Sequence, residues 1–514
     1  MGKPRRRVGA GWIVALTIVG ATATVADEPP RRPNLVLLVA DDLGYADLGC
    51  HGGTDVATPR IDSLATHGVR CAQAYVTASV CAPSRAALLT GRYAQRFGFE
   101  HNPGGDLVAS PDYGLPRDVP TLAERLRDQG YATGLVGKWH LGHGPSGHPI
   151  RRGFASFFGF YVDSHAYLPD AGATPTLVRD TEPVAHTAYL TDAFAREAVE
   201  FVERHHASPF CLVVAFNAVH LPLEADGARL ARYAAIEDPR RRAYASMLSA
   251  MDDAVGAVLD ALEARSLAAS TLVVFLADNG GATTQTTARN APLRAEKGTV
   301  YEGGVRVPLL ARWPGRLPGG RTYEAPVSAL DVVPTFLAAA GLPPAEVLDG
   351  TDLLPHWCGA TAARPHAALF WRRGAQHAAR VGDWKMVADE GDPPQLFDLV
   401  RDPGERDNQA ARAPEKLAEL LAAYQAWDRR NVAPAWTPGP AAPPARPRFG
   451  RAEVAQQFRR ADTNGDGRLS PEELDPYPDV RSMLRGADAN GDGVLVLDEV
   501  VAHFAARGLL RDDE

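Results

Sequence analysis

Cysteine is scarce in this chain: Cys50, Cys71, Cys81, Cys211 and Cys358 are the only five among 514 residues. So few thiols over such a length exclude the disulfide framework that holds small exported domains together. An excess of positive charge is also missing. The formal net charge is −8, which gives no reason to expect a nucleic-acid partner. Long apolar runs are lacking too, apart from one near the start, and no later stretch is fit to cross a bilayer. What remains is an ordinary globular balance, 45% hydrophobic and 23% charged, with length for roughly two to four domains.

The one long run follows Lys3, Arg5, Arg6 and Arg7 and extends from Val8 to about Val25, ending in Ala-Thr-Val-Ala before Asp27. A basic start, an apolar middle and small residues at the end make 1–26 a secretory signal peptide, cleaved after Ala26. The rival is an uncleaved anchor, which Gly9, Gly11 and Gly20 weaken as a span. Loss of four basic residues leaves the mature chain more acidic still. The expected address is export, to the periplasm or the extracellular space.

The most informative stretch is Val80-Cys-Ala-Pro-Ser-Arg-Ala-Ala-Leu-Leu-Thr-Gly-Arg92. Small residues and a proline lead into Arg-Ala-Ala-Leu-Leu and then a glycine stop, the order expected of a short helix. Cys81 then sits at a helix N-terminus, where free N–H groups favour an anion. Arg85 lies one turn on, on the same face. By itself this also fits a buried structural cysteine beside a surface arginine.

Two apolar runs, Asn34–Ala40 and Thr271–Ala277, read as strands buried on both faces of a parallel sheet. The first ends in Asp41-Asp42 and the second in Asp278-Asn279. One Asp-Asp pair at a strand end is commonly a solvated turn. Two such strands ending in oxygen ligands, without His or Cys, suit Ca²⁺ or Mg²⁺ at the carboxyl edge of a sheet. A strand from Tyr131 to Val136 leads into Gly137-Lys-Trp-His-Leu-Gly142, and Phe210–Phe216 leads into Asn217-Ala-Val-His220. Lys297 stands in Lys-Gly-Thr-Val-Tyr-Glu-Gly-Gly-Val-Arg-Val-Pro308. A helix is expected over Thr121–Gly130.

From Arg364 the pattern changes to strands without intervening helices: Ala368–Trp371, Ala378–Val387 and Leu396–Leu399. These suggest a small antiparallel sheet, with a helix from Pro414 to Arg429 packed on it. Residues 431–448 are a Pro/Ala-rich linker. Beyond it come two copies of an EF-hand calcium loop. The first offers Asp462, Asn464, Asp466, Arg468 through its carbonyl, Ser470 and Glu473. The second, 26 residues later, offers Asp488, Asn490, Asp492, Val494 through its carbonyl, and Glu499. Val496 brings no side-chain oxygen, so water would serve there.

The Cys81-x-Pro83-Ser84-Arg85 core with its Leu88-Leu-Thr-Gly-Arg92 continuation resembles the signature of type I sulfatases, in the alkaline phosphatase superfamily. Gly137–Gly142, the His220-Leu-Pro222 string, the Lys297 region and the Arg401–Asn408 turn resemble further motifs of that family. The resemblance runs from about Asn34 to Arg430. It implies an α/β fold: a large mixed, mostly parallel sheet flanked by helices, with a small C-terminal antiparallel-sheet subdomain. The appended EF-hand module would be α-helical. The domains are then 27–363 catalytic, 364–430 C-terminal subdomain, and 449–514 EF-hand pair.

The resemblance further implies that a maturation enzyme converts Cys81 to 3-oxoalanine (Cα-formylglycine), whose hydrated aldehyde attacks a sulfate ester. One divalent ion, Ca²⁺ with Mg²⁺ as the alternative, would be held by Asp41, Asp42, Asp278 and Asn279 together with residue 81. Arg85, Lys138 and Lys297 would neutralise the sulfate oxygens. His220 is the candidate general acid, His140 the candidate base, and Ser164 a further substrate contact. The expected activity is arylsulfatase-like hydrolysis of sulfate esters, with a sulfated glycan or polysaccharide as substrate. Two alternatives stay open: a phosphonate monoester or phosphodiester hydrolase of the same superfamily, and a non-catalytic secreted calcium-binding protein.

Overall fold

A computed structural model describes residues 1–2, 32–103, 113–144, 147–169, 176–343, 345, 347–389, 391–436, 451–462, 464–474, 484, 486–488 and 490–506. The expected signal peptide at 1–26 and the expected linker at 431–448 lie mostly outside the described residues. No helix among the described residues is long and apolar enough to cross a membrane. The chain divides into two compact units, residues 1–100 with 114–435, and residues 101–113 with 436–514.

The first unit is organised by β1 (Asn34–Ala40), which lies between β7 (Phe210–Ala215) and β8 (Thr271–Ala277) and runs parallel to both. Every residue of these three strands is buried, as an apolar run without alternation requires of a sheet covered on both faces. The parallel block continues through β3 (Ala132–Lys138) to β4 (Ser156–Phe160). On the other side, β9 (Arg306–Arg312) pairs antiparallel with β8 and with β2 (Val69–Tyr75). Short strands complete an eleven-stranded sheet: β5 (Leu177–Arg179) and β6 (Glu182–Val184) beyond β4, β10 (Arg321–Tyr323) and β11 (Val327–Ser328) on β2. The expected mixed, mostly parallel sheet is what forms.

Strand β3 runs two residues further than the sequence pattern implies, through Gly137 and Lys138. A side chain at 137 would press against its neighbour, since a Cβ there would stand 1.9 Å from the Ala215 carbonyl oxygen. Glycine at this position lets β3 and β7 stay together to the sheet edge. The expected helix at Thr121–Gly130 is Leu122–Arg127, opened by a capping box between Thr121 and Glu124.

The Cys81–Thr90 helix is buried along its whole length and ends at Gly91, whose φ is 67°. Alanines at 82, 86 and 87 let other elements approach it on every side, which is why it lacks an amphipathic pattern.

The small sheet holds four antiparallel strands in order: β12 (Ala368–Arg373), β13 (Gln376–Val381), β14 (Trp384–Ala388) and β15 (Gln395–Asp398). The run Ala378–Val387, expected as one strand, is two. Val381 pairs with Trp384 across a two-residue turn, and Gly382 takes φ 60° there, a conformation that costs glycine little. The Pro414–Asp428 helix follows.

A buried charge network ties this sheet to the large one. Lys385 Nζ lies 2.9 Å from Glu302 and 3.0 Å from Glu405, with all three side chains fully buried. Tyr75 donates to Glu302 at 2.7 Å, and the Glu302 amide donates to Glu405 at 2.7 Å. Burial pushes Glu405 up to about 7, with Glu302 adding to it against the pull of Lys385. Glu302 goes the other way, to about 2, because Lys385, Arg306 and Arg380 outweigh its burial.

In the second unit, β16 (Arg468–Leu469) pairs antiparallel with β17 (Leu495–Val496) and joins the two expected EF-hand loops. Val454, Phe458, Leu469, Leu474, Leu484, Leu495 and Phe504 belong to one buried cluster.

Lys385→Ala is expected to leave Glu405 buried without its cation and Glu302 to Arg306, 3.4 Å away. Removing one partner of a buried ion pair costs about 3–5 kcal/mol, to be read from denaturant unfolding of the purified variant. A loss below about 1 kcal/mol would show that the network contributes little to holding the two sheets together.

Candidate active site

Strands β1 and β8 are paired residue for residue to their ends, Ala40 beside Ala277. The residues that follow therefore leave the sheet side by side at its carboxyl edge, where open α/β sheets bind ligands. Asp41, Asp42, Asp278 and Asn279 are all buried there. Asp42 has φ 59°, a left-handed conformation that Asp enters more readily than most residues. Its amide donates to Asp278 at 3.3 Å, and Asn279 Nδ2 donates to its carboxylate at 2.7 Å.

The Cys81 helix begins against this edge. Cys81 Sγ donates to Asp41 at 3.5 Å. Asp41, Asp42, Cys81 and His220 offer donor atoms that lie within 4.8 Å of one another. Burial, and then Asp41, push the Cys81 thiol well above its ordinary range, so it is a protonated thiol here. The Ser84 hydroxyl donates to the Asp278 carbonyl.

Each carboxylate has a cation. Lys138, the last residue of β3, donates to Asp41 at 2.6 Å. Lys297 donates to Asp42 at 2.8 Å. Arg85 donates to Asp278 at 2.8 Å and to the Lys138 carbonyl at 3.1 Å. Burial works against the charge on Asp41, but Lys138, His220, Arg85 and Lys297 outweigh it and hold the carboxyl far below the usual range. Asp278 is pushed the other way, to about 6, by burial and by Asp41. Burial also opposes the charges of Lys138 and Lys297, and the neighbouring carboxylates reverse it, raising both.

The two expected histidines differ. His220 Nδ1 lies 2.9 Å from the Leu221 carbonyl; because a carbonyl only accepts, Nδ1 carries the proton. Nε2 is then the nitrogen that faces Asp42, at 3.6 Å. His140 is buried, with φ 61°, and its amide donates to the Tyr161 carbonyl. Burial, followed by the Lys138 and Arg85 charges, holds its imidazole neutral. The side chains of Lys297 and His220 are 15% and 13% exposed, whereas Asp41, Lys138 and Arg85 are sealed at 3% or less. The cluster therefore opens to solvent on the Lys297 and His220 side.

The structure thus gathers Asp41, Asp42, Cys81, Arg85, Lys138, His140, His220, Asp278, Asn279 and Lys297 in one place. Ser164 is half-buried and makes no hydrogen bond to the cluster among the described residues. Its neighbour His165 accepts from Asn217 Nδ2 at 2.8 Å. Asn217 and Tyr167 were not foreseen. Tyr167 Oη lies 2.6 Å from the Asn217 carbonyl and 2.9 Å from that of His220, and so fixes the loop that carries His220. Asn217 follows β7 as Asn279 follows β8, a signal the sequence did contain.

The donor set fits a hard divalent cation. Asn279 Oδ1 is buried with no hydrogen-bond partner, beside three carboxylates, and such an orphaned oxygen costs free energy unless something takes its lone pair. In the second unit the loop ligands converge in the same way. Asp462 accepts from the amides of Gly465 and Gly467, and Glu473 from those of Asn464 and Ser470. Asp488 and Glu499 repeat this with Gly491, Gly493, Asn490 and Val496. All five cysteines are free thiols.

Comparison with known proteins agrees with this geometry. Residues 33–342 match the Sulfatase family, residues 295–424 the C-terminal family of N-sulphoglucosamine sulphohydrolase, and residues 454–475 an EF hand. The chain is 37% identical to arylsulfatase A of Homo sapiens, over 76% of its own length and 86% of that protein. It is 33% identical to the steryl-sulfatase of Mus musculus, covering 84% and 88% of the two chains. Among solved structures it resembles Ps i-CgsB in complex with k-i-k-neocarrahexaose, at 36% identity and a TM-score of 0.76, over 80% of this chain and 96% of that one.

Asp278→Asn keeps the volume and deletes one charge from the oxygen set. After chelation, titration with Ca²⁺ should find at least about a tenfold weaker dissociation constant for this site, since even outer partners of a metal site cost 10–100-fold in affinity. To isolate it, the measurement is made in a background where Glu473→Gln and Glu499→Gln have disabled the EF-hand loops. An unchanged dissociation constant would show that Asp278 is not a ligand.

Proposed function

The chain belongs to the sulfatase family and is a sulfuric ester hydrolase, and we propose that its substrates are sulfated glycans and its nucleophile a formylglycine made from Cys81. The observation that carries the second part is the thiol itself. Cys81 heads a buried helix, is pushed toward its protonated form by burial and by Asp41, and donates to that carboxylate. A protonated thiol is a poor nucleophile, whereas a hydroxyl placed there has Asp41 as an acceptor.

Asp41, Asp42, Asp278 and Asn279 would hold the divalent ion, Ca²⁺ with Mg²⁺ as the alternative, with residue 81 beside it. When present, the ion supplies a Lewis acid for a sulfate oxygen, and the formylglycine supplies a hydroxyl nucleophile. Arg85, Lys138 and Lys297 bring fixed positive charge to the remaining sulfate oxygens in a largely buried site, where such charge is worth more than in water. His220, through Nε2, is the group to protonate the departing alkoxide. His140, held neutral, is the group to take a proton from the residue-81 hydroxyl. Ser164 is proposed to touch the leaving group.

The same arrangement bears on the substrate. The sulfate end is enclosed, and only Lys297 and His220 reach solvent. A leaving group next to His220 therefore remains at the mouth, where a sugar ring and its neighbours can be accommodated. The likeness to a protein bound to a neocarrahexaose supports a glycan. We further propose that residues 1–26 export the chain, that a maturation enzyme modifies Cys81, and that both loops of the second unit bind Ca²⁺.

Peptide mass analysis of active protein should find the aldehyde at position 81, and Cys81→Ala should lower aryl-sulfate turnover by at least about a thousandfold. Full activity with unmodified Cys81 would overturn the nucleophile. Turnover of an aryl phosphodiester faster than of the matching aryl sulfate would overturn the assignment of sulfate as the group transferred. For the second unit, equilibrium dialysis should show about one Ca²⁺ lost per chain with Glu473→Gln and about one more with Glu499→Gln, since each removes the carboxylate that closes its loop. An unchanged count would remove calcium binding from these loops.

A further inference from the structure

Arg372 and Arg373 are adjacent at the end of β12, and their surroundings differ. Arg372 is fully engaged: it donates to Glu100 at 3.0 Å, to Asp428 at 2.6 Å and to the Val432 carbonyl at 2.8 Å. Arg373 is half-buried, and no carboxylate pairs with it among the described residues. Among the described residues its guanidinium makes one hydrogen bond, from Nη1 to the Gly298 carbonyl, at 2.7 Å. Burial pushes its pKa below the ordinary arginine value, with no opposite charge to offset that. Partial burial without a carboxylate leaves the guanidinium's remaining donors open to another acceptor.

Gly298 lies next to Lys297 in the chain, and its amide donates to the carbonyl of Ser79, two residues before Cys81. It has φ 85°, and a Cβ built there would lie 3.8 Å from Arg373 Nη2. Glycine thus leaves the guanidinium uncovered on that side. Arg373 thus lies against the turn that carries Lys297, the most exposed of the cluster's cations, at the end of β12 where Gly374 and Ala375 form the hairpin turn.

We propose that Arg373 binds a second anionic group of the substrate, a sulfate or a carboxylate carried by the saccharide whose first sulfate is removed. The guanidinium fork matches the planar pair of oxygens that either group presents. The inference rests on the reading of the site as a glycan sulfatase, and it deepens that reading to glycans with at least two negative charges near the scissile ester. The neutral alternative is that Arg373 only tethers the Gly298 carbonyl and so positions Lys297.

The test measures inhibition of aryl-sulfate turnover by three disaccharides of one skeleton. One carries a single sulfate, one carries two sulfates, and one carries a sulfate and a uronate carboxylate. For the wild type, at least one doubly charged saccharide should have an inhibition constant about tenfold below that of the monosulfated one, the worth of one charge-assisted hydrogen bond. The arm that shows this preference identifies the anion. In Arg373→Met the ratio should fall to within about twofold of one, and Arg373→Lys should lie between. Because the ratio is taken within each enzyme, a general loss of activity cancels.

No preference in the wild type, or the same ratio in Arg373→Met, overturns the proposal. An equal rise of all three constants assigns Arg373 to positioning Lys297 and also overturns it. Hydrolysis of the same saccharides is followed separately. If the preference is present and depends on Arg373 but no saccharide is cleaved, the anion site stands and the glycan substrate falls; cleavage without preference gives the opposite result.

Discussion

Three buried carboxylates set against three cations are the constraint on which the rest of this molecule depends. Asp41 faces Lys138, Asp42 faces Lys297, and Asp278 faces Arg85, each within 2.8 Å. Removing any one such charge from water costs several kcal/mol, and attraction between partners repays it only when the geometry is good. The six residues come from five separate segments of the chain. Their positions therefore have to be fixed by something stiffer than loops. The stiffness comes from β1, β3, β7 and β8, which end together at one edge of the sheet, and from a helix buried along its whole length that carries Cys81 and Arg85.

Close backbone packing then locks the loops that carry the remaining members. A Cβ at Gly280 would lie 1.8 Å from the Gly303 carbonyl oxygen, so the turn after β8 and the turn before β9 touch directly. Gly280 and Gly304 are joined by a hydrogen bond there. Glu302 lies in the same turn and reaches Lys385 of the small sheet. The small sheet is thus coupled electrostatically to the segment that presents Lys297, five residues before Glu302.

Much of this was legible in the sequence because it is local. An apolar run followed by Asp-Asp, or by Asp-Asn, reports both a buried strand and the chemistry at its end. Cys81 before a short alanine-rich stretch reports a helix N-terminus. The hairpin within Ala378–Val387 was missed because Ala-Ala-Arg-Val and Trp-Lys-Met-Val read as one β-rich run, and Gly382-Asp383 was the only break. Asn217, Tyr167 and Arg373 were missed for another reason. Their partners lie 52, 50 and 75 positions away in the chain; only Asn217 carried a local signal, its place after an apolar strand, and nothing in the residue type or spacing of Tyr167 and Arg373 reports such contacts. Lys385 resembles an ordinary half-exposed strand residue until Glu302 and Glu405 are placed around it.

The distribution of exposure separates two tasks. Of the residues assigned to the sulfate, Lys138 ends a strand and Arg85 lies on a buried helix, with Lys297 on a turn tied to them through Asp42, and altering any of them disturbs a balanced set of buried charges. The residues at the opening come from loops: His220 after β7 and Lys297 in the turn before β9, with Gly298 and Arg373, at the end of β12, next to the latter. Loops of this kind tolerate substitution more readily than the scaffold beneath them. Chemistry at sulfur can therefore stay fixed by the sheet while the saccharide accepted at the mouth is set by a few side chains on turns. Arg373 belongs to the second group by position and to the first by charge: its guanidinium donates to the carbonyl of Gly298, next to Lys297 in the chain, no carboxylate pairs with it among the described residues, and it is the contact proposed for a second anion of the substrate.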